Sequence, residues 1–205
     1  MNNSRSQKIR KLVLIAIFTA LSTVLYHLKF PLPMLFPSFL DIQFSNLPAL
    51  IGGLVLGPLS GVTIVVLRGL LKLPFTSTMG VGELADVLIG IGAVLGSSLF
   101  YKYNRTKKGG AFALLISTVS WIIVAVLANY LIIMPFFIKL YGFDTVFGLI
   151  EKVIKGINKE NFMAYYIIYA VIPFNLLLST MVNLVTYFVY KKVSILSKEF
   201  YEGKS

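Results

Sequence analysis

The feature that most constrains this chain is the length of its uninterrupted apolar blocks. Residues 9–28, 47–57, 61–73, 83–101, 111–140 and 164–190 are dominated by Ile, Leu, Val, Phe, Ala and Gly. A bilayer core of roughly 30 Å calls for about 20 apolar residues in helical form, and a soluble core has no use for several such blocks in series. Composition agrees. Of the 205 residues, 57% are hydrophobic and only 13% charged, where a soluble domain carries about a quarter charged; the mean hydropathy is +0.84. The chain is therefore read as all-α: a polytopic membrane protein with six transmembrane helices. One membrane domain over residues 1–205 fills the length, with no room for an attached soluble catalytic module.

The net charge of +11 raises the question of a nucleic-acid partner, and its distribution answers it. Basic residues gather at Arg5, Lys8, Arg10 and Lys11, at Lys102, Arg105, Lys107 and Lys108, and at Lys191, Lys192 and Lys198. These are the flanks of spans, where Lys and Arg favour the cytoplasmic side and anionic lipid, so the expected partner is the bilayer and no nucleic acid. Six crossings put the N-terminus, the 102–109 loop and the C-terminal tail together in the cytoplasm; five would leave one basic cluster outside. The basic start and following apolar run look like a signal peptide at first sight. The run is too long for a signal core and lacks a cleavage site, so it is read as a retained first helix.

Several kinds of chemistry are excluded. With no cysteine there are no disulfides, thiolate metal sites or cysteine nucleophiles. A single histidine, His27, is a poor basis for a zinc site and is read as an interfacial residue. No G-x-x-x-x-G-K-[ST], H-E-x-x-H or G-x-S-x-G pattern occurs, so no enzyme activity is expected, and transport driven by nucleotide must borrow an ATPase from a partner.

Irregular stretches point to where a cavity lies. At 1.5 Å per residue, segments 47–57 and 61–73 reach only about 17–20 Å; either their flanks extend them or the pair forms a partial hairpin, and short spans often border binding cavities. Residues 29–46 (KFPLPMLFPSFLDIQFSN) are apolar, yet Pro31, Pro33 and Pro37 prevent a helix there. Two readings stand: a lid over a buried site, or a connector hugging the membrane edge. In residues 144–157, Val146, Phe147, Ile150, Val153, Ile154 and Ile157 recur at helical spacing opposite Glu151, Lys152 and Lys155. This is an amphipathic extracellular helix before the sixth span. Small residues at four-residue spacing (Ala16 and Ala20; Gly53, Gly57 and Gly61; Gly92 and Gly96) allow close helix approach.

Polar groups at membrane depth are costly and mark function or pairing. Arg68 and Lys72 lie one turn apart, as do Glu83 and Asp86, and are read first as an ion-pair cluster. Asn129 and Asn175 are the better ligand candidates, because an amide offers both donors and an acceptor to a heterocycle. Pro135 and Pro173 nearby free backbone carbonyls and open the helices. Phe36, Phe39, Phe44, Tyr130 and Phe174 supply faces for stacking on a planar ring, or else form an interfacial belt.

Taken in order, residues 39–53 (FLDIQFSNLPALIGG), 57–61 (GPLSG), 80–86 (GVGELAD), 129–135 (NYLIIMP) and 172–175 (IPFN) resemble the substrate-binding S components of energy-coupling factor (ECF) vitamin transporters, the riboflavin-specific type above all. The likeness covers nearly the whole chain, and Ala16 and Ala20 match the family's first-helix motif. It implies a six-helix fold in the cell membrane of a prokaryote, with an outward cavity gated by the loop after the first helix. It also implies capture of riboflavin as transported ligand, with no cofactor. Carried over by position, the ligand contacts are Leu40, Asp41, Phe44, Glu83, Asn129, Phe174 and Asn175. Ala16 and Ala20 would dock the transmembrane coupling subunit, which joins two ABC-type ATPases. One departure is Leu178, where the family commonly has a lysine. Other cargo (a different vitamin or a precursor), a membrane-embedded enzyme using Glu83 and Asp86, and a ligand-free structural protein are the competing readings.

Overall fold

Helix α1 (Asn2–His27) runs 26 residues without a glycine or proline to interrupt it. The prolines that follow end it. In the computed structural model, which describes residues 2–202 and excludes the side chains of 2–4, 107, 191 and 193–202, the chain next forms a miniature hairpin. Strands β1 (Phe30–Pro31) and β2 (Asp41–Ile42) pair antiparallel, with Phe30 opposite Ile42. Lys107, Lys191 and Lys198 of the basic groups lie outside the described side chains.

Helices α2 (Asn46–Leu56) and α3 (Pro58–Lys72) are joined by one residue, Gly57. Gly57 has φ +99°, a conformation that L side chains rarely adopt, and Pro58 starts α3 at the position where its missing N–H costs nothing. The two helices fold back on each other with little between them. A Cβ on Gly61 would lie 2.7 Å from Gly53 Cα and 2.9 Å from the Ala49 carbonyl, so close approach here requires glycine.

A 3-10 turn (Leu73–Phe75) extends α3 to an 18-residue apolar helix, long enough to cross a membrane. For 61–73 the flanks supply the missing length, since 58–60 and 74–75 are helical. By contrast, α2 has only 11 residues. Helix α4 (Val81–Tyr103) follows, then α5 (Lys107–Ala128), which begins where Thr106 Oγ1 accepts the Gly109 N–H at 2.8 Å.

Two of the long helices contain a wide π turn. Residues Asn129–Ile133 connect α5 to α6 (Met134–Tyr141), and Ile167–Val171 connect α8 (Phe162–Tyr166) to α9 (Ile172–Glu202). Met134 N–H bonds to Asn129 O and Ile172 N–H to Ile167 O, each five residues back. In each case a proline follows at once (Pro135, Pro173), removing a further donor. Between these helices lies α7 (Phe143–Glu151), which buries Val146 and Ile150. The predicted helix stops at Glu151 rather than 157. A turn completes the segment, with Gly156 at φ +77°, and it still buries Ile154 and Ile157; burial of the apolar side is met without the helix.

Among the described residues, five helices are therefore long and apolar enough to cross a membrane, and α2 is shorter. The protein is an all-α membrane protein. Following the chain through these reversals puts the N-terminus, residues 103–107 and the end of α9 at one end of the bundle; Tyr101 and Tyr190 meet there edge to face at 5.9 Å. Residues 27–46 and 73–82 lie at the other end, with α7. The core between them is packed by Leu50, Ile64, Val65, Val94, Trp121 and Val182.

Candidate ligand-binding cavity

At the loop-rich end the helices part around a cavity of about 150 Å³. Its walls come from five regions of the chain: Tyr26 of α1, Phe39, Leu40, Asp41 and Gln43 of the loop, Thr78 to Ile89 around the start of α4, Trp121 to Phe137 along α5 and α6, and Phe174 to Leu178 of α9.

Both asparagines face it and both are fixed. Asn129 Nδ2 donates to Ala125 O at 2.9 Å while its Oδ1 accepts the Tyr166 hydroxyl at 2.6 Å. Asn175 Nδ2 donates to Val171 O at 2.8 Å and its Oδ1 accepts from Trp121 Nε1 at 3.0 Å. Each amide keeps one N–H and one lone pair beyond these bonds. Each side chain folds back on the carbonyl four residues before its own, which holds the amide's orientation at the cavity wall.

A second polar group closes the side toward α3. Arg68 is fully buried and pairs with Asp86 at 2.5 Å. Its other amino group donates to Ser45 Oγ at 3.0 Å and Asn46 Oδ1 at 2.9 Å. Gln43 Nε2 donates to Asp86 Oδ1 at 2.8 Å, and Ser22 Oγ donates to Ser45 O. The predicted ion-pair cluster thus forms through Arg68 and Asp86 only. Lys72 instead rests over the Tyr26 ring at 5.2 Å, and Glu83 accepts from the hydroxyls of Thr76 at 2.6 Å and Thr78 at 2.9 Å.

The loop after α1 forms part of the cavity wall. Phe36 packs edge to face on Phe174 at 5.2 Å, Phe39 meets Phe137 at 5.8 Å, and Lys29 pairs with Asp41 at the rim. On the outer surface of α1, Ala16 and Ala20 are exposed in a row with Leu12, Val13, Ile17, Leu21 and Val24.

The model for the substrate-specific component of ECF transporters matches residues 10–190. This chain belongs to that family. The riboflavin transporter RibU of Staphylococcus aureus is 29% identical over 197 residues, covering 95% of this chain and 97% of its own. RibU of Streptococcus thermophilus is 33% identical, covering 82% of this chain and 75% of its own. The riboflavin transporter FmnP of Bacillus subtilis is 33% identical over 62% of this chain and 68% of its own. A solved structure described as the S component of a bacterial ECF transporter superposes with a TM-score of 0.72 at 26% identity, over 93% of this chain and 99% of that one.

Of the positions named from the sequence of this S component, the cavity brings together Leu40, Asp41, Glu83, Asn129, Phe174 and Asn175. Phe44 is half-buried and packs on the core instead, and Tyr130 is 53% exposed. Sequence reasoning missed Trp121, Tyr166, Gln43 and the threonines that hold Glu83. A signal for the first was present: Trp121, Ala125, Asn129, Ile133 and Phe137 repeat every four residues. No sequence period marks Gln43, whose position depends on the hairpin.

Proposed function

We propose that this S component captures riboflavin with high affinity in the cavity and hands it to a shared coupling module that supplies the energy. The single observation that carries this reading is the chamber in which two fixed amides and the rings of Trp121, Phe137 and Phe174 converge; relatives spanning nearly the whole chain are riboflavin transporters. A planar ring with alternating donors and acceptors suits such a lining. On this reading the family's chemistry is capture and release, with no bond made or broken and no cofactor.

The finer arrangement belongs to the same proposal. Residues 1–205 act as a single membrane domain of six spans, α2 being the short one, with both termini in the cytoplasm of a bacterial cell. That orientation places every basic cluster on the favoured side. Leu40, Asp41, Glu83, Asn129, Phe174 and Asn175 contact the ligand, and Phe44 backs the loop. Sites for ligands of this size run about 300–1,000 Å³, more than the chamber of about 150 Å³. Residues 29–46 therefore act as a lid that moves outward on binding. Ala16 and Ala20 receive the transmembrane coupling subunit, which is joined to two ABC-type ATPases.

Titration of the purified protein with a panel of vitamins, read by flavin fluorescence, tests the reading. Riboflavin is expected to be quenched on binding, and Asn129→Ala and Asn175→Ala each to weaken it by about 1–3 kcal/mol. A wild-type protein that leaves riboflavin fluorescence unchanged would remove the assignment; unchanged affinity in both variants would remove the asparagines from the site.

A further inference from the structure

A second hollow lies outside the chamber, on the flank of the same end. It is an open groove of about 580 Å³ between Leu35 of the loop after α1, Val153 to Gly156 of the turn that follows α7, and Tyr165 and Tyr169 at the start of the last span. Lys155 is exposed and is the one charged side chain bordering the groove among the described residues. Its ammonium has no carboxylate partner among them, and neither tyrosine hydroxyl has a hydrogen bond there. Lys159, four residues on, is by contrast paired with Asp144 and lies over the Phe143 ring at 5.7 Å. The groove opens sideways, with Leu35 63% and Tyr169 56% exposed beside the exposed Ile168.

We propose that this groove seats the headgroup of an anionic phospholipid, with Lys155 as counter-ion to the phosphodiester and the Tyr165 and Tyr169 hydroxyls as donors to it. The two tyrosines stand about one turn apart at the start of the 29-residue apolar span Phe162–Tyr190, their rings 5.1 Å apart. Tyrosine at the end of a span sits at headgroup level, with its ring toward the acyl chains and its hydroxyl toward the phosphates. An uncompensated ammonium at that depth attracts anionic lipid. Leu35, Val153 and the tyrosine rings add apolar wall, which a glycerol backbone and the first acyl carbons cover and a free phosphate does not. A lipid seated there touches the loop after α1 and the turn before α8 at once.

Native mass spectrometry of the full chain, released from micelles holding equal phosphatidylglycerol and phosphatidylcholine, tests the site. Wild-type protein is expected to retain phosphatidylglycerol about fivefold over phosphatidylcholine. Lys155→Gln is expected to lose most of that preference, and Lys152→Gln, which removes the same charge from a residue that does not border the groove, to keep it. A photo-reactive phosphatidylglycerol is expected to label residues 153–169, and inorganic phosphate to leave the bound lipid in place. No preference in the wild type, an equal loss in both variants, or labelling confined to the basic clusters at the opposite end would overturn the inference. Displacement by inorganic phosphate would overturn it too, by making the ligand a free anion. None of these outcomes bears on riboflavin capture, which the fluorescence titration reads separately.

Discussion

Arg68 sits without solvent exposure among groups from the loop, α2 and α4, and its partners show why it is tolerated there. A guanidinium at membrane depth is expensive unless its donors are taken, and four acceptors, on Ser22, Ser45, Asn46 and Asp86, bond its two amino groups; Nε alone remains without a bond. Removing it strands Asp86. Arg68→Ala is expected to lower stability by about 3–5 kcal/mol, whereas the double variant Arg68→Met with Asp86→Leu, which leaves no orphan charge, recovers much of that loss. Thermal unfolding in detergent checks both, and a single variant as stable as wild type would show that the pair contributes nothing. At this scale much was legible. Intramembrane charge and amide singled out Arg68, Asp86, Asn129 and Asn175 before any fold was known. Which cation met which carboxylate was not legible, because that depends on helix rotation: Lys72, one turn from Arg68, turned to an aromatic ring instead.

Among the elements, the α2–α3 hairpin depends most on a single side chain being absent. A Cβ at Gly61 would press on Gly53 Cα, the Ala49 carbonyl and Val94 Cγ1 at 2.6 Å, two of which are backbone-held and cannot step aside. Gly61→Leu is expected to cost at least about 1–3 kcal/mol by overpacking and to lower expression in the membrane. A variant melting with the wild type would show that the two helices have room to spare. The glycine spacing in the sequence pointed to this contact. Apolar periodicity fixed the cores of α1, α4, α5 and α9, but it erred wherever ends were decided by capping or burial. Pro58 opened a helix instead of preceding one, and the amphipathic run of 144–157 broke at Glu151 because a turn buried Ile154 and Ile157 equally well.

Across the whole molecule, the network around Arg68 joins α1 to the loop, since Ser22 donates to Ser45 O and Arg68 reaches Ser45. The opposite face of α1 is bare, with Ala16 and Ala20 in its middle. Replacing either with Trp is expected to abolish uptake in cells carrying the coupling module while leaving riboflavin titration unchanged; uptake at the wild-type rate would place docking elsewhere. The all-α membrane class and the broad placement of the cavity were written in the blocks and their interruptions. The chamber's depth was not, because it depends on helical phase. Residues four apart in a regular α-helix drift about 40° around the axis, so Trp121 and Phe137 would end about 160° apart, on opposite sides of their helix. The wide turn at Asn129–Ile133 holds one residue more, about 100° of rotation, and takes most of that drift back. Closing that turn to a regular α-helix with every residue kept would swing the chamber's ceiling, Phe137, away from its floor, whereas excising a single residue there would leave the two in phase.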